Sequence, residues 1–213
     1  MLLASFVKAF PSDRGADLGC GTGVLSILVN GRTGARIEAV EIQEDEADRA
    51  ERSVRLNGQT GITVHHADMR DFPSAFGYGK LDFTMCNPPY FLNGTVSPDT
   101  SRATSRHQSG IAIEDIPAAC SSLLKNGGRA FFVYPASRLA EIFYALQSRS
   151  LTPKRLRLVL HHAGAAPKIA LIECKKGAKH GMLFEPALIM HGDDGGYTEE
   201  MKEIYHIPAQ PDR

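Results

Sequence analysis

The sequence predicts an α/β fold in which helices flank a mostly parallel sheet, and two observations support that prediction. Short apolar runs typical of buried strands alternate along the chain with stretches of helical periodicity. Such alternation is typical of parallel strands with helices on both faces. The last two strand candidates are joined only by residues 161–168, which are too few for a crossover helix. We therefore expect an antiparallel hairpin at one edge of the sheet.

The strand candidates are short, rich in branched aliphatic residues and lie at 37–40, 62–64, 81–85, 130–133, 156–160 and 169–172. The helical patterns lie at 24–29, 44–56, 113–124 and 136–147. Near the end, residues 192–196 form a turn and 197–205 a helix, with Thr198 as its N-cap. With a first strand that ends at Leu18, we expect about seven strands in a single domain, 1–213.

Composition places the chain among ordinary globular proteins, with 213 residues, 43% hydrophobic and 23% charged. The apolar start, 1–7, lacks a basic region before it and is too short to span a bilayer. Cysteines occur only at widely separated positions, without paired metal-ligand spacing: Cys20, Cys86, Cys120 and Cys174. We expect reduced thiols, no metal site and a cytoplasmic protein.

The formal net charge of zero hides an asymmetry along the chain. Residues 102–180 hold 13 Lys and Arg against 4 Asp and Glu, a net of +9, and the remaining residues hold 11 against 20, a net of −9. A local positive region would attract a polyanion. The alternative is that these charges scatter over solvated faces when the chain folds.

A glycine-rich segment, 17–23, joins the first strand to the first strong helical pattern. Gly19, Gly21 and Gly23 alternate, and Val24 follows them. Glycines at a strand-to-helix turn let a ligand touch the backbone. The segment departs from the G-x-G-x-x-G of dinucleotide binders, so a cofactor without a pyrophosphate fits better. The alternative is a tight turn in an unrelated α/β protein.

Three acids follow successive strands, so their side chains should face one crevice, where open α/β sheets bind ligands. Asp17 lies in the glycine-rich segment itself. Glu41 ends the second strand, where an acid can bind ribose hydroxyls, although it could equally cap the next helix. Asp68 follows the third strand and could accept a hydrogen bond from an adenine amino group, or simply form a turn before Met69.

A second motif, Asn87-Pro88-Pro89-Tyr90, follows the fourth strand and should open on the same edge. The two prolines stiffen the segment and remove donors. The Asn87 side chain and the Pro88 carbonyl can then accept both hydrogens of an exocyclic amine. Tyr90, together with Phe91, can stack on the planar group. The alternative is a proline-rich loop with a packing aromatic.

In spacing, these motifs resemble those of the S-adenosylmethionine-dependent class I methyltransferases that modify amino groups. The likeness is strongest to the bacterial small-domain enzymes of the valine-tRNA adenine-N6 type, and it covers nearly the whole chain. Later segments that share it are Ser105-Arg106-His107, 167–173 and 196–199. The resemblance implies a Rossmann-like fold and methyl transfer from S-adenosylmethionine to adenine N6 in RNA, with tRNA as the partner.

The resemblance also assigns roles to residues of this chain. The catalytic residues would be Asn87, Pro88, Pro89 and Tyr90. The cofactor would contact Asp17, Gly19, Cys20, Gly21, Glu41, Ile42, Asp68, Met69 and Asn87. Phe91 would contact the substrate base. Independently of the resemblance, the positions of Arg102, Arg106 and His107 after the catalytic loop predict that they close over the RNA, and the lysines Lys175, Lys176 and Lys179 would steer its backbone. The alternative is that these are ordinary surface charges, with Arg106 paired to Glu114 or Asp115.

Three other functions share parts of this pattern: protein glutamine-N5 methylation, rRNA guanine-N2 methylation and RNA binding without catalysis. Glutamine methyltransferases usually have a helical recognition domain ahead of the first motif. Relatives of the adenine-N6 type usually carry a Phe-x-Ser-x-Asp-like segment there, whereas this sequence starts inside the helix that should follow it. The sequence therefore leaves open whether the cofactor pocket is closed on its amino-terminal side.

Overall fold

A computed structural model of the protein describes residues 1–88 and 111–208. Within these residues one sheet contains nine strands in the order β3-β2-β1-β4-β5-β7-β6-β8, and β9 also pairs with β6. The strands are β1 Arg14–Leu18, β2 Arg36–Glu41, β3 Ile62–His66, β4 Leu81–Cys86, β5 Leu124–Pro135, β6 Leu151–Leu160, β7 Ile169–Lys176, β8 Leu183–Phe184 and β9 Leu188–Ile189.

Seven α-helices lie in the described residues, most of them between successive strands. They are α1 Leu2–Phe6, α2 Val24–Thr33, α3 Glu44–Leu56, α4 Phe72–Phe76, α5 Asp115–Leu123, α6 Leu139–Gln147 and α7 Glu199–Tyr205. A 3-10 turn, Ala136–Arg138, precedes α6. Thr198 is the N-cap of α7 and accepts a hydrogen bond from the Met201 N–H at 3.3 Å, as the sequence predicts.

The sheet has the mixed topology expected from the sequence. Strands β3, β2, β1, β4 and β5 are parallel to their neighbours. Strand β7 is antiparallel to both β5 and β6, which confirms the hairpin. The two-residue strands β8 and β9 both pair in parallel with β6. They lengthen the expected seven-stranded sheet at its edge, and they are too short to leave a recognisable strand pattern.

Two apolar layers cover the two faces of the sheet. One layer contains Phe72, Ile116 and Leu146 from α4, α5 and α6. The other contains residues of α1, α2, α3 and α7: Leu3, Phe6, Val29, Val54 and Met201. Because side chains alternate along a strand, neighbouring residues of β5 serve opposite layers. Among the described residues, the sheet is thus covered on both faces, which leaves its edges for contact with ligands.

Two further expectations concern membranes and cysteines. Among residues 1–88 and 111–208, no helix combines the length and the apolar character that a membrane crossing needs. All four cysteines lie in the described residues, and all are buried free thiols, as expected. Burial raises the pKa of Cys120 to about 12, so this thiol stays protonated at neutral pH.

Candidate active site

The glycine-rich segment forms the turn between β1 and α2. Gly19, Gly21 and Gly23 have φ angles of 76°, 52° and 82°, in the left-handed region that favours glycine. A Cβ at Gly23 would lie 3.3 Å from Ala50 Cβ in α3, whereas one at Gly21 would meet nothing within 4 Å. Gly23 therefore allows two helices to pack closely, and Gly21 leaves space next to the backbone.

Backbone hydrogen bonds tie this turn to the end of β2. The N–H groups of Gly19 and Cys20 both donate to the Val40 carbonyl, at 2.9 and 3.0 Å. The Gly21 N–H donates to Glu41 Oε2 at 2.9 Å. Because these donors come from successive residues and converge on one strand end, the turn has a single, well-defined shape.

Glu41 connects three loops at the carboxyl edge of the sheet. Its side chain is buried, and its second oxygen, Oε1, accepts from the Gln43 N–H at 2.9 Å. Gln43 is the N-cap of α3, and the Glu41 carbonyl accepts from the Ala67 N–H at 2.8 Å. Glu41 thus contributes to the turn that leads into α3, which is the alternative role that the sequence allows. Each carboxylate oxygen keeps further acceptor capacity, so contact with a ribose remains a prediction.

Asp17 is almost fully buried, with 1% of its surface exposed, at the base of the glycine-rich turn. Its Oδ2 accepts a hydrogen bond from Ser26 Oγ at 2.8 Å. Burial raises the pKa of Asp17 to about 7, although the Ser26 hydrogen bond opposes the shift and the nearby Glu41 adds to it. At neutral pH this carboxyl group is therefore close to half-protonated, and a cation beside it would favour the ionised form.

Asp68 follows β3 at the same edge, but it already has a cationic partner. The Arg70 backbone N–H donates to Asp68 Oδ1 at 2.8 Å, and the Arg70 guanidinium pairs with the carboxylate. The side-chain hydrogen bond from the Arg70 guanidinium is the main reason why the pKa of Asp68 is lowered. The Asp68 carbonyl also accepts from the N–H groups of Asp71 and Phe72. The turn-forming role is therefore present, and the contact with adenine stays a prediction.

Two further residues of the predicted cofactor set, Met69 and Ile42, lie at the same edge of the sheet. Met69 is buried, and its Cε lies 3.5 Å from the position that a Cβ would take at Gly19. Ile42 follows Glu41, and its carbonyl contacts His66 Nε2 at 3.1 Å. Met69 thus supports the glycine-rich turn from beneath, while Ile42 helps to join β2 to β3.

Asn87 and Pro88 directly follow β4, next to the glycine-rich turn. Cys86 Sγ donates to the Leu18 carbonyl at 3.0 Å, so the strand ends that carry the two motifs are in direct contact. Asn87 is exposed and Pro88 is buried. The predicted roles of six other residues fall outside the described part of the chain: Pro89, Tyr90, Phe91, Arg102, Arg106 and His107.

A cleft with a volume of about 460 Å³ brings the two motifs together. Its lining includes Asp17, Gly19, Cys20, Gly21 and Asn87 from the predicted site. It also includes residues that the sequence analysis did not identify: Met1, Leu2, Leu3, Thr22, Val24, Leu25, Val133, Ile169 and Tyr205. Glu41, Ile42, Asp68 and Met69 do not line it, so the predicted cofactor set is divided between the cleft and the adjoining strand ends.

Strand register explains why Val133 and Ile169 belong to the cleft. Val133 lies near the carboxyl end of β5, and Pro135 pairs with Ile169 at the beginning of the antiparallel strand β7. Because β7 runs in the opposite direction, its first residues meet the carboxyl edge where the parallel strands end. The predicted hairpin could have identified Ile169, but Tyr205 is far from every motif in sequence.

The lysines at the end of the hairpin lie away from the cleft, so their predicted role in steering the RNA backbone stays a prediction. Lys175 pairs with Arg129, six residues before Pro135 on β5, which places it about 20 Å from the carboxyl edge at the usual strand rise. Lys176 Nζ donates to the carbonyls of Ser121 and Leu124. The antiparallel strand carries Lys175, Lys176 and Lys179 to the edge opposite the cleft.

The fold and this cleft define a class I methyltransferase: a glycine-rich turn after β1, an acid at the end of β2 and an Asn-Pro segment after β4. The family model described as "Methyltransferase small domain" matches residues 1–141. The chain therefore belongs to this family, and it is an S-adenosylmethionine-dependent methyltransferase.

Relatives and solved structures agree with this assignment. A tRNA1(Val) (adenine(37)-N6)-methyltransferase of Bacteroides fragilis is 31% identical and is covered to 88% of its length by 96% of this chain. The crystal structure of a predicted O-methyltransferase from Agrobacterium tumefaciens has a TM-score of 0.79 and 24% identity, and the match covers 96% of this chain and 94% of that chain.

A third comparison concerns the cofactor. Geranyl diphosphate C-methyltransferase from Streptomyces coelicolor A3(2), crystallised with S-adenosyl-L-homocysteine, matches with a TM-score of 0.58 and 17% identity. That match covers 82% of this chain and 80% of the other. This likeness shows the fold alone, and the family assignment identifies S-adenosylmethionine as the cofactor.

Proposed function

We propose that this enzyme transfers a methyl group to the N6 amino group of an adenine in tRNA, in the cytoplasm. The observation that carries the proposal is the placement of Asn87 in the same cleft as the glycine-rich turn. The names of the relatives support a specific target, adenine 37 of tRNA1(Val).

The cofactor site would combine the predicted residues that line the cleft with those at the adjoining strand ends. Asp17, Gly19, Cys20 and Gly21 would contact the cofactor along the cleft. The open space at Gly21 would allow its backbone to touch the ligand directly. Glu41 would accept hydrogen bonds from the ribose hydroxyls, and Asp68 would accept from the adenine amino group. When bound, S-adenosylmethionine supplies an electrophilic methyl group on a positively charged sulfur.

Asn87 and Pro88 would hold the target amine in line with that methyl group. The Asn87 side-chain oxygen and the Pro88 carbonyl each accept one hydrogen of the exocyclic nitrogen. This draws the nitrogen lone pair out of conjugation and directs it toward the methyl carbon, so catalysis comes mainly from positioning. The methylated nitrogen is acidic and can lose its extra proton to water. The target base must leave its stack to reach this cleft, as in other base-modifying enzymes.

Isotopic methyl transfer into total tRNA, compared with transfer into a release-factor protein, tests the choice of substrate. We expect label in the RNA, recovered as N6-methyladenosine after nuclease digestion. Label only in the protein, recovered as N5-methylglutamine, would overturn the proposal. Label recovered as N2-methylguanosine would retain RNA methylation but refute adenine as the acceptor.

A matched pair of asparagine variants tests whether the measured methylation comes from this cleft or from a contaminating enzyme. Asn87 lines the cleft, whereas the exposed Asn126 lies near the start of β5, at the opposite edge of the sheet. We expect Asn126→Ala to methylate tRNA like the parent protein and Asn87→Ala to be inactive. Equal labelling by both variants would mean that the activity does not come from this site.

A further inference from the structure

Four aromatic rings form a continuous stack beside the cleft. His161 stacks on His191 with ring centroids 4.4 Å apart and planes at 22°. His191 stacks on Tyr197 at 4.9 Å and 28°, and Tyr197 stacks on Tyr205 at 5.4 Å and 10°. We call these four residues the aromatic ladder. Tyr205, at one end of the ladder, lines the cleft itself, and His161 is at the other end.

The ladder is assembled from separate segments of the hairpin half of the sheet. His161 follows β6, His191 follows β9, Tyr197 precedes α7 and Tyr205 ends it. The His191 N–H donates to the His161 carbonyl at 2.9 Å, and His191 and Tyr197 form a β-bridge. Because main-chain bonds fix these segments, the rings are held in place before any ligand arrives.

Burial does not account for the ladder. His161 is exposed, and Tyr197 is 38% exposed, so these two rings contribute only part of their surface to the core. His191 and Tyr197 each have a ring on both sides, whereas the terminal ring, His161, can receive an unpaired base that extends the stack. Such stacking tolerates any base, because every base has a π-face.

The charges around the ladder indicate which part of RNA would meet it. The segment 161–168 contains two histidines and the exposed Lys168 but no acid. The turn 192–196 carries Asp193 and Asp194, which disfavour phosphate on that side. The ladder therefore suits bases better than backbone, and phosphates would have to follow the Lys168 side.

We propose that the aromatic ladder binds unpaired RNA bases next to the flipped adenine by stacking, with His161 as its outermost contact. The inference rests on the proposed function, because it assumes an RNA substrate. It assigns a role to Tyr197 in the motif 196–199, which the chemistry of the cleft does not use. It also places an RNA-recognition surface at the edge of the cleft, whereas the predicted steering lysines lie at the opposite edge.

Substitutions at His161 test the proposal, because this ring is exposed and its loss should leave the fold intact. With a fluorescent tRNA transcript as the probe, we expect His161→Ala to raise the Kd about tenfold, within the usual range for one stacked base. His161→Phe should keep the Kd within about twofold, since it keeps a ring. The matched control is His180→Ala, an exposed histidine beyond the end of β7, which should leave the Kd unchanged.

Two results would overturn stacking by the ladder: an unchanged Kd for His161→Ala, or a loss for His161→Phe as large as that for His161→Ala. Equal thermal unfolding midpoints of all variants would exclude a folding defect. Methyl transfer into tRNA by the parent protein is measured in parallel. If the parent methylates tRNA and the His161 variants bind it normally, only the ladder is refuted. If the parent neither binds nor methylates RNA, the proposed function fails as well.

Discussion

The two halves of the sheet contribute to the same edge in different ways. In the parallel half, β3-β2-β1-β4, the groups that shape the site lie in short loops directly after strand ends, such as Gly19–Gly21 and Asn87. In the hairpin half, Ile169, Tyr205 and the aromatic ladder reach that edge through the reversed strand and the last helix. The proposed chemistry is therefore encoded in contiguous motifs, while the proposed recognition surface depends on tertiary structure.

Arg155 connects α1 to the hairpin half, and its loss should have the largest effect on stability. Its guanidinium pairs with Glu173 at 2.6 Å and Glu185 at 3.0 Å, donates to the Phe6 carbonyl at 2.8 Å and lies 3.7 Å from the Phe6 ring centroid. Arg155→Ala would leave two partly buried carboxylates without a cation. We expect the free energy of unfolding to fall by about 3–5 kcal/mol.

The matched control for this prediction is Arg157→Ala, two residues along the same strand. Arg157 pairs with Glu200, whose side chain is 47% exposed, so its loss should cost about 1 kcal/mol or less. Urea unfolding of both variants measures the difference. Equal effects would mean that Arg155 is not the link between α1 and the hairpin.

Glu41 tests the parallel half, where one side chain shapes the loop and is proposed to bind the ribose. We expect Glu41→Ala to weaken S-adenosylmethionine binding by about 2–3 kcal/mol, because hydrogen bonds to a charged acceptor are lost. Calorimetry measures this change. The exposed Glu44→Ala, in the first turn of α3, is the control and should bind normally.

Glu41→Gln separates the two contributions of that side chain. The amide oxygen can still accept from the Gly21 N–H, whereas the amide nitrogen cannot accept from the Gln43 N–H, so the unfolding midpoint should recover only in part. Cofactor affinity should stay below that of the parent, since the charged acceptor is absent. Unchanged binding in Glu41→Ala would remove the ribose assignment altogether.

Asp17 makes the parallel half sensitive to pH. Its folded pKa of about 7 lies above the value of about 3.9 for an unfolded aspartate, so the folded protein binds more protons between these values. The contribution of Asp17 to the free energy of unfolding therefore falls as the pH rises from about 4 to about 7. Asp17→Asn should flatten this part of the stability curve.

Urea unfolding across that pH range measures the slope, with the exposed Asp48→Asn as the control. The side chain of Asp48 is 63% exposed, so its replacement should leave the slope as it is in the parent protein. An Asp17→Asn curve as steep as that of the parent would contradict the raised pKa.

The parallel half and the hairpin half of the sheet also differ in how much of their structure could be predicted from the sequence. The bounds of α3 and the Thr198 cap could be predicted because helix periodicity and capping are local properties. The glycine-rich turn could be predicted because its residues are contiguous. The edge at which Lys175 lies could not be predicted, because it depends on the direction of β7. The stacking of His161 on His191 joins residues of two strand ends whose pairing leaves no local pattern.

The most direct test of the central claim is to measure turnover and cofactor affinity separately in Asn87→Ala. Asn87 is one of many predicted cofactor contacts but is proposed to contact chiefly the target nitrogen, so the loss should fall mainly on kcat and little on cofactor Kd. We expect kcat for tRNA methylation to fall about a hundredfold or more, as when one positioned hydrogen-bonding group is removed from an active site. The Kd for S-adenosylmethionine should stay within about twofold of the parent value. Full turnover by Asn87→Ala would contradict the account.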